Sequence, residues 1–218
     1  MYNRTKKKFP SKEDTPMLVK DKMTTRPFVV TPDIRVSEAL KIMKDGRFRR
    51  LPVVQAGKLV GIVTDKELRE ATPSKATSLS MHELNYLLDK TTVGDAMHKH
   101  PLTVQEDDLL ETAALMMRNN KVGALPVMKG KALVGIITES DIFDTFLDMM
   151  GIRGHGRRLQ LTLPDVAGSL ADVTRIISAY DCNISNIVYS GDGELIVRLE
   201  SGNIEGAAAE LKKVGYMK

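Results

Sequence analysis

The spacing of apolar and polar positions divides the chain into three successive stretches with the same order of elements. In the first, Val36, Ala39, Leu40 and Met43 recur at i, i+3, i+4 and i+7, which is one face of a helix. An apolar run over residues 51–54 follows, then a turn at Ala56-Gly57-Lys58 and a second apolar run over 59–64. Two short apolar runs about a tight Gly-containing turn predict a β-hairpin. Asp65 then opens a closing helix, where an acid suits the helix dipole. In the second stretch Leu110, Ala113, Ala114 and Met117 make the helix face. Residues 125–128 and 133–138 make the hairpin about Lys129-Gly130-Lys131, and Glu139 opens the closing helix. A Met-Pro opening with a short extended run (KMTTRPFVV, AMHKHPLTV) precedes each helix, so each stretch reads β-α-β-β-α.

These two stretches are copies. With a shift of 74 residues, positions 23–68 overlie 97–142 without a gap and 14 of the 46 are identical, including Leu-Pro-Val, Leu-Val-Gly-Ile and the Thr that follows. Repetition at one offset over this length marks a duplicated folding unit. A unit of under about 60 residues buries a small core, so the copies are expected to pack together about a pseudo-two-fold axis with a cleft on each side.

The third stretch follows a Gly-rich segment, residues 151–156, of the kind that joins domains. Residues 158–163 alternate as a strand, and Asp165-Val166-Ala167-Gly168-Ser169 turns into a helix carrying Leu170, Val173, Ile176 and Ile177 on one face. Residues 184–190 and 194–200 alternate about Gly191-Asp192-Gly193, a hairpin, and 204–214 read as helix. Only a stub of a last strand remains at Tyr216-Met217-Lys218. The expected organisation is a basic disordered tail over 1–16, one copy over 17–71 and a linker over 72–92. The linker holds a short helix capped at Ser80-Met81-His82-Glu83. The second copy covers 93–150, the hinge 151–156 and a further domain 157–218.

Composition narrows the function. The net charge of +4 is local: residues 1–12 hold five Lys or Arg and no acid, which leaves about −1 for the rest. A short basic end of this kind is usually solvated, and a nucleic-acid-binding regulator using it is the alternative reading. Cys182, the one cysteine, excludes an internal disulfide and a thiolate zinc site, and no apolar run is long enough for a membrane helix, so a cytoplasmic location is the default expectation. None of the four histidines stands in a recognisable catalytic motif, and His98-Lys99-His100 offers a poor metal site. No catalysis, metal or catalytic cofactor is expected, and a ligand-free scaffold is a further alternative.

The two copies resemble CBS domains, paired as a Bateman module. The resemblance rests on the Met-Pro opening, Leu-Pro-Val-Val, Gly-Lys followed by Leu-Val-Gly-Ile, and then Thr and an acid. It implies an adenine nucleotide (AMP, ADP, ATP or a related adenosyl ligand) in clefts between the repeats, held by a Gly-apolar-apolar-Thr-x-x-Asp signature. Gly135-Ile136-Ile137-Thr138-Glu139-Ser140-Asp141 matches it in full, and Gly61-Ile62-Val63-Thr64-Asp65-Lys66-Glu67 departs at Glu67. A Thr hydroxyl with the N–H groups of the next helix can meet phosphate, and Asp141 can accept from ribose hydroxyls. Thr64 and Glu67 therefore form the weaker cleft. Arg47, Arg49 and Arg50, before the first Leu-Pro-Val-Val, suit bidentate phosphate contacts. Thr103 and Val104 would offer backbone groups and an apolar wall to adenine. The third stretch resembles an ACT domain, a ferredoxin-like fold, so the fold class is α/β (α+β): two repeats and a ferredoxin-like unit. Both resemblances imply self-complementary faces and hence a homodimer closed with two-fold symmetry, and the second implies an amino-acid or small-metabolite effector near Asp165, Gly168, Asn183 and Ile184, although Ala167 stands where members often carry Pro. The order CBS–CBS–ACT is similar to the acetoin utilisation protein family, which implies a bacterial regulatory role in carbon metabolism and an unknown target protein.

Overall fold

The structure is a computed structural model and describes residues 16–71 and 90–217. The basic tail through residue 15, the linker residues 72–89 with their Ser80–Glu83 cap, and Lys218 lie outside the described residues. The fold is mixed α/β, and the chain divides into two compact units, residues up to Ile142 and residues from Phe143 onward.

The first unit holds both copies. A single 3-10 turn, Val19–Asp21, and a two-residue strand β1 (Thr24–Thr25) lead into α1 (Val36–Gly46), β2 (Arg50–Gln55), β3 (Lys58–Thr64) and α2 (Asp65–Glu70). The second copy repeats this as α3 (Val93–Ala96), β4 (His98–Lys99), β5 (Val104–Gln105), α4 (Leu110–Asn120), β6 (Ala124–Lys129), β7 (Ala132–Thr138) and α5 (Glu139–Met149). The hairpins share one register: Val53 faces Gly61 and Val127 faces Gly135, with a bulge at the next residue in both. The predicted helix faces are the ones that go inside. Val36, Ala39 and Met43 of α1, and Ala113 and Met117 of α4, are buried against the hairpins.

Each copy keeps its order of elements, but its opening strand pairs with the other copy. β1 runs antiparallel to β7, Thr24 opposite Ile136, and β4 runs antiparallel to β3, His98 opposite Ile62. The sheets are therefore β1-β7-β6-β5 and β2-β3-β4. The cores follow the exchange: Val19 packs with Val104, Leu125 and Ile137, and Val93 packs with Val36, Leu51 and Val63. Gly61 and Gly135 make room for it. A Cβ at Gly135 would lie 3.0 Å from the Thr24 carbonyl oxygen and would meet the Met23 sulfur; at Gly61 the Cβ would stand in the same relation to His98 and Met97. Only glycine lets a strand approach this closely over an open hairpin edge. Among the described residues no helix is long and apolar enough to cross a membrane.

The second unit contains β8 (Arg157–Thr162), α6 (Ser169–Ala179), β9 (Ile184–Tyr189), β10 (Glu194–Leu199) and α7 (Ile204–Lys213). Its antiparallel sheet has the order β8-β10-β9, and the order of elements is consistent with an ACT-like fold. Leu159, Leu161, Leu195, Val197 and Leu199 turn one sheet face toward Val173 and Ile177 of α6 and Leu211 of α7. Leu170, predicted on the buried face of α6, stays 44% exposed. The stub of a last strand takes the form of a single bond, Thr162 N–H to the Tyr216 carbonyl at 2.9 Å. The Gly-rich segment is tied to this unit. Asn186 Nδ2 donates to the Met149 carbonyl (2.6 Å), Arg198 Nη1 donates to that of Gly156 (3.1 Å), and Arg153 pairs with Asp144 and Asp148. The division between the units falls inside α5 rather than at residues 151–156.

Candidate ligand-binding clefts

Two clefts lie between the copies, and the exchange of opening strands decides what lines them. The first is a cavity of about 350 Å³. Copy two contributes Ile136, Thr138 and Ser140, from the end of β7 and the start of α5. Copy one contributes Arg47, Phe48, Arg49 and Arg50 from the loop between α1 and β2, and its opening adds Thr24, Pro27 and Phe28. The rings of Phe28 and Phe48 stack with centroids 5.8 Å apart and planes at 28°. Both remain partly exposed, at 52% and 40%, so two stacked rings and three arginines line the same cavity. Arg47 reaches its place by ending α1 in the left-handed conformation, φ 54°. Among the described residues no carboxylate forms a salt bridge with Arg47, Arg49 or Arg50.

The second cleft, about 450 Å³, is the counterpart of the first under the 74-residue shift. Ile62, Thr64 and Glu67 of copy one face Lys121, Val122, Gly123 and Ala124 of copy two, with His98, Pro101 and Leu102 from the opening. Lys121 repeats the left-handed helix end of Arg47, φ 56°. Where the first cleft has Arg49 and Arg50, this one has Gly123 and Ala124, and where the first has an aromatic pair it has Val122 and Leu102. Both volumes fall in the ordinary range for small-molecule sites.

The Thr-x-x-acid signature has a structural function in both copies. Thr138 N–H and Oγ1–H donate to Asp141 Oδ2 at 2.8 and 2.7 Å, and the Asp141 N–H returns toward Thr138 Oγ1 at 3.4 Å. Thr64 and Glu67 make the same bonds at 2.8, 2.9 and 3.2 Å. This is the reciprocal bonding of a capping box, which satisfies the first free N–H groups of a helix. With its hydroxyl hydrogen on Asp141, Thr138 offers the cleft lone pairs. To donate to a phosphate it must rotate away from Asp141.

The predicted residues thus divide. Thr138, Ile136, Arg49 and Arg50 share one cavity, and Thr64 and Glu67 stand in the wall of the other. Asp141 is bonded to Thr138 but is not in the first wall, and Gly135 lies under β1. Thr103 and Val104 are not in that wall either: Val104 pairs with Val127 and is 2% exposed in the copy-two core. Phe28 and Phe48 stand where Thr103 and Val104 were expected. The signal that could have found Phe28 is Gly135, a glycine over which another strand lies, and for Phe48 it is its place between Arg47 and Arg49. In the second unit, Asp165 and Gly168 precede α6, while Asn183 and Ile184 follow it. At 1.5 Å per residue the 11-residue helix separates the two pairs by about 16 Å, so one protomer does not bring them together. Among the described residues no group of three or more His, Cys, Asp or Glu side chains gathers as a metal site.

The CBS domain family matches the chain twice, over residues 19–74 and 93–148, about half of its length. The chain belongs to the CBS-domain family. A CBS domain-containing protein of Dictyostelium discoideum is 34% identical over 136 residues, 62% of this chain and 94% of that protein. An uncharacterized Methanocaldococcus jannaschii protein is 33% identical, and the chain spans 49% of it. Among solved structures, a putative acetoin utilization protein of Vibrio cholerae is similar at 28% identity and a TM-score of 0.53, covering 65% of this chain and 98% of that one. CBSX2 of Arabidopsis thaliana, solved in complex with AMP, is similar at 32% identity and a TM-score of 0.51, covering 61% and 97%. The CBS domain pair of protein MJ0100, solved with 5′-methylthioadenosine and S-adenosyl-L-methionine, is similar at 29% identity and a TM-score of 0.50, covering 60% and 96%. The CBS pair accounts for these matches, and it is the pair that contains both clefts.

Proposed function

We propose that this chain is a regulatory sensor without catalytic chemistry that binds a phosphate-bearing adenosyl ligand, with AMP as the reference, in the first cleft between its CBS repeats. The observation that carries this reading is the cavity itself, which is lined by a stacked aromatic pair suited to the base, three arginines suited to the phosphate, and Thr138. Base–aromatic stacking and bidentate Arg–phosphate contacts are the two interactions that adenosine monophosphate can use at its opposite ends. The CBS pairs crystallised with AMP and with 5′-methylthioadenosine and S-adenosyl-L-methionine support the ligand class. The rest of the reading goes with it: residues 157–218 as an ACT domain, a two-fold dimer, and a role in carbon metabolism like that of acetoin utilisation proteins.

Calorimetry tests the site. AMP should bind more tightly than adenosine, and Arg49→Gln should remove most of the difference, about 1.5–3 kcal/mol for a charged hydrogen bond. Asp141→Ala needs two readouts, because the cap alone is worth about 1 kcal/mol of stability. Loss of stability with AMP affinity intact would reduce Asp141 to a cap. If AMP and adenosine bind alike, or neither binds, the phosphate-directed reading of the cleft fails.

A further inference from the structure

Among the described residues Arg50 alone stands in the walls of both clefts. Its two places follow from topology. Arg50 begins β2 directly opposite Thr64 in the hairpin register, which puts it at the second cleft. It also ends the run from Arg47 that faces Thr138, which puts it at the first. Its side chain rests on Gly123: a Cβ there would lie 3.0 Å from Arg50 Cζ and 2.6 Å from Glu139 Oε2. The counterpart of Arg50 in copy two is Ala124, so no second cation mirrors it. The residue that lines both cavities thus carries one planar guanidinium, able to form a full bidentate pair with one phosphate at a time.

We propose that Arg50 makes the two clefts compete for anionic ligands. A phosphate in the first cleft draws the guanidinium off Gly123 and leaves Lys121 as the remaining Lys or Arg of the second cleft. A second phosphate-bearing adenosyl ligand then binds more weakly than it would to an otherwise empty module. A ligand without phosphate makes no claim on Arg50, so it fills the clefts independently. The module thereby responds differently to charged and uncharged adenosyl compounds. This inference rests on the adenosyl-ligand reading above, and its test separates the two.

Ser140 and Asn120 are exposed helix residues, each in the wall of one cleft. Ser140→Trp and Asn120→Trp should plug the first and second clefts, and calorimetry of each variant with AMP gives the affinity of the cleft left open. In the parent the weaker AMP step should be about tenfold weaker than in the matching plugged variant, the scale of one charge-assisted hydrogen bond. With 5′-methylthioadenosine the parent isotherm should equal the sum of the two plugged variants. Arg50→Gln should restore that sum for AMP. Gly123→Ala, which displaces the guanidinium without changing its charge, should narrow the gap between the two AMP steps and needs no plug. An AMP isotherm that is additive in the parent, or a gap unchanged in both Arg50→Gln and Gly123→Ala, rejects the coupling while leaving the binding site in place. No binding of either compound to any variant removes the adenosyl reading, and the coupling with it.

Discussion

Arg47 and Lys121 end α1 and α4 in the left-handed region, where a side chain with a Cβ costs about 1–2 kcal/mol relative to glycine. Both stand in cleft walls, so the strain coincides with a basic side chain at a cavity. Arg47→Gly is therefore expected to stabilise the protein by about 0.5–1 kcal/mol in urea unfolding and to weaken AMP binding in the same sample. A variant that is no more stable, or that binds AMP as the parent does, would detach the strain from the site. The basic character of this loop was readable from the sequence, because the copies differ there by three arginines. Its conformation was not: a helix is expected to end on glycine, and Gly46 precedes the left-handed residue instead of occupying it. Gly46 has another effect, since the Phe48 ring lies where a Cβ would project and would have to shift to admit one.

Capping boxes recur at the scale of elements. Besides the two at the clefts, Thr92 N–H and Oγ1–H donate to Asp95 Oδ2 at 2.9 and 2.7 Å at the start of α3, and this holds Val93 in the copy-one core. Hydrogen bonds from the Thr92 side chain, and next from its backbone, hold the Asp95 carboxyl below its ordinary value of 3.8. A carboxyl depressed by folding stabilises the protein above its unfolded pKa, and the contribution is lost as the pH falls through the folded value. Part of the acid destabilisation below about pH 4 should therefore disappear in Asp95→Asn, as followed by thermal unfolding at pH 3 to 5. An unchanged pH profile would assign that loss to other carboxyls. The helices and hairpins were legible because a period of 3.6, or a short apolar run about a turn, is a local property of the chain. The caps at Thr64 and Thr138 were masked by their ligand-binding resemblance, since a Thr three residues before an acid meets both descriptions.

At the scale of the whole molecule, α5 starts at Glu139, directly after Thr138 in the wall of the first cleft, and its residues from Phe143 onward belong to the second compact unit. The end of α5, at Met149, is bonded to β9, and Gly156 in the segment after it is bonded to β10. A ligand that favours one state of the CBS pair transmits at most its own preference between states, typically about 1–3 kcal/mol. AMP should therefore change hydrogen exchange through α5 and into residues 151–156. Protection that stops at Asp141 would leave the C-terminal unit uncoupled from the nucleotide. The sequence by itself determined the duplication, the order of elements in all three stretches, the hairpin positions and the basic loop, because each is written in local period or in identity at one fixed offset. Only the tertiary structure decided that β1 and β4 change partners. Both open edges carry an accommodating glycine, Gly61 and Gly135, so a repeat carries no record of which copy supplies the strand. That choice brought Phe28, just after β1, into the wall of the first cleft beside Phe48, where Thr103 and Val104 were expected.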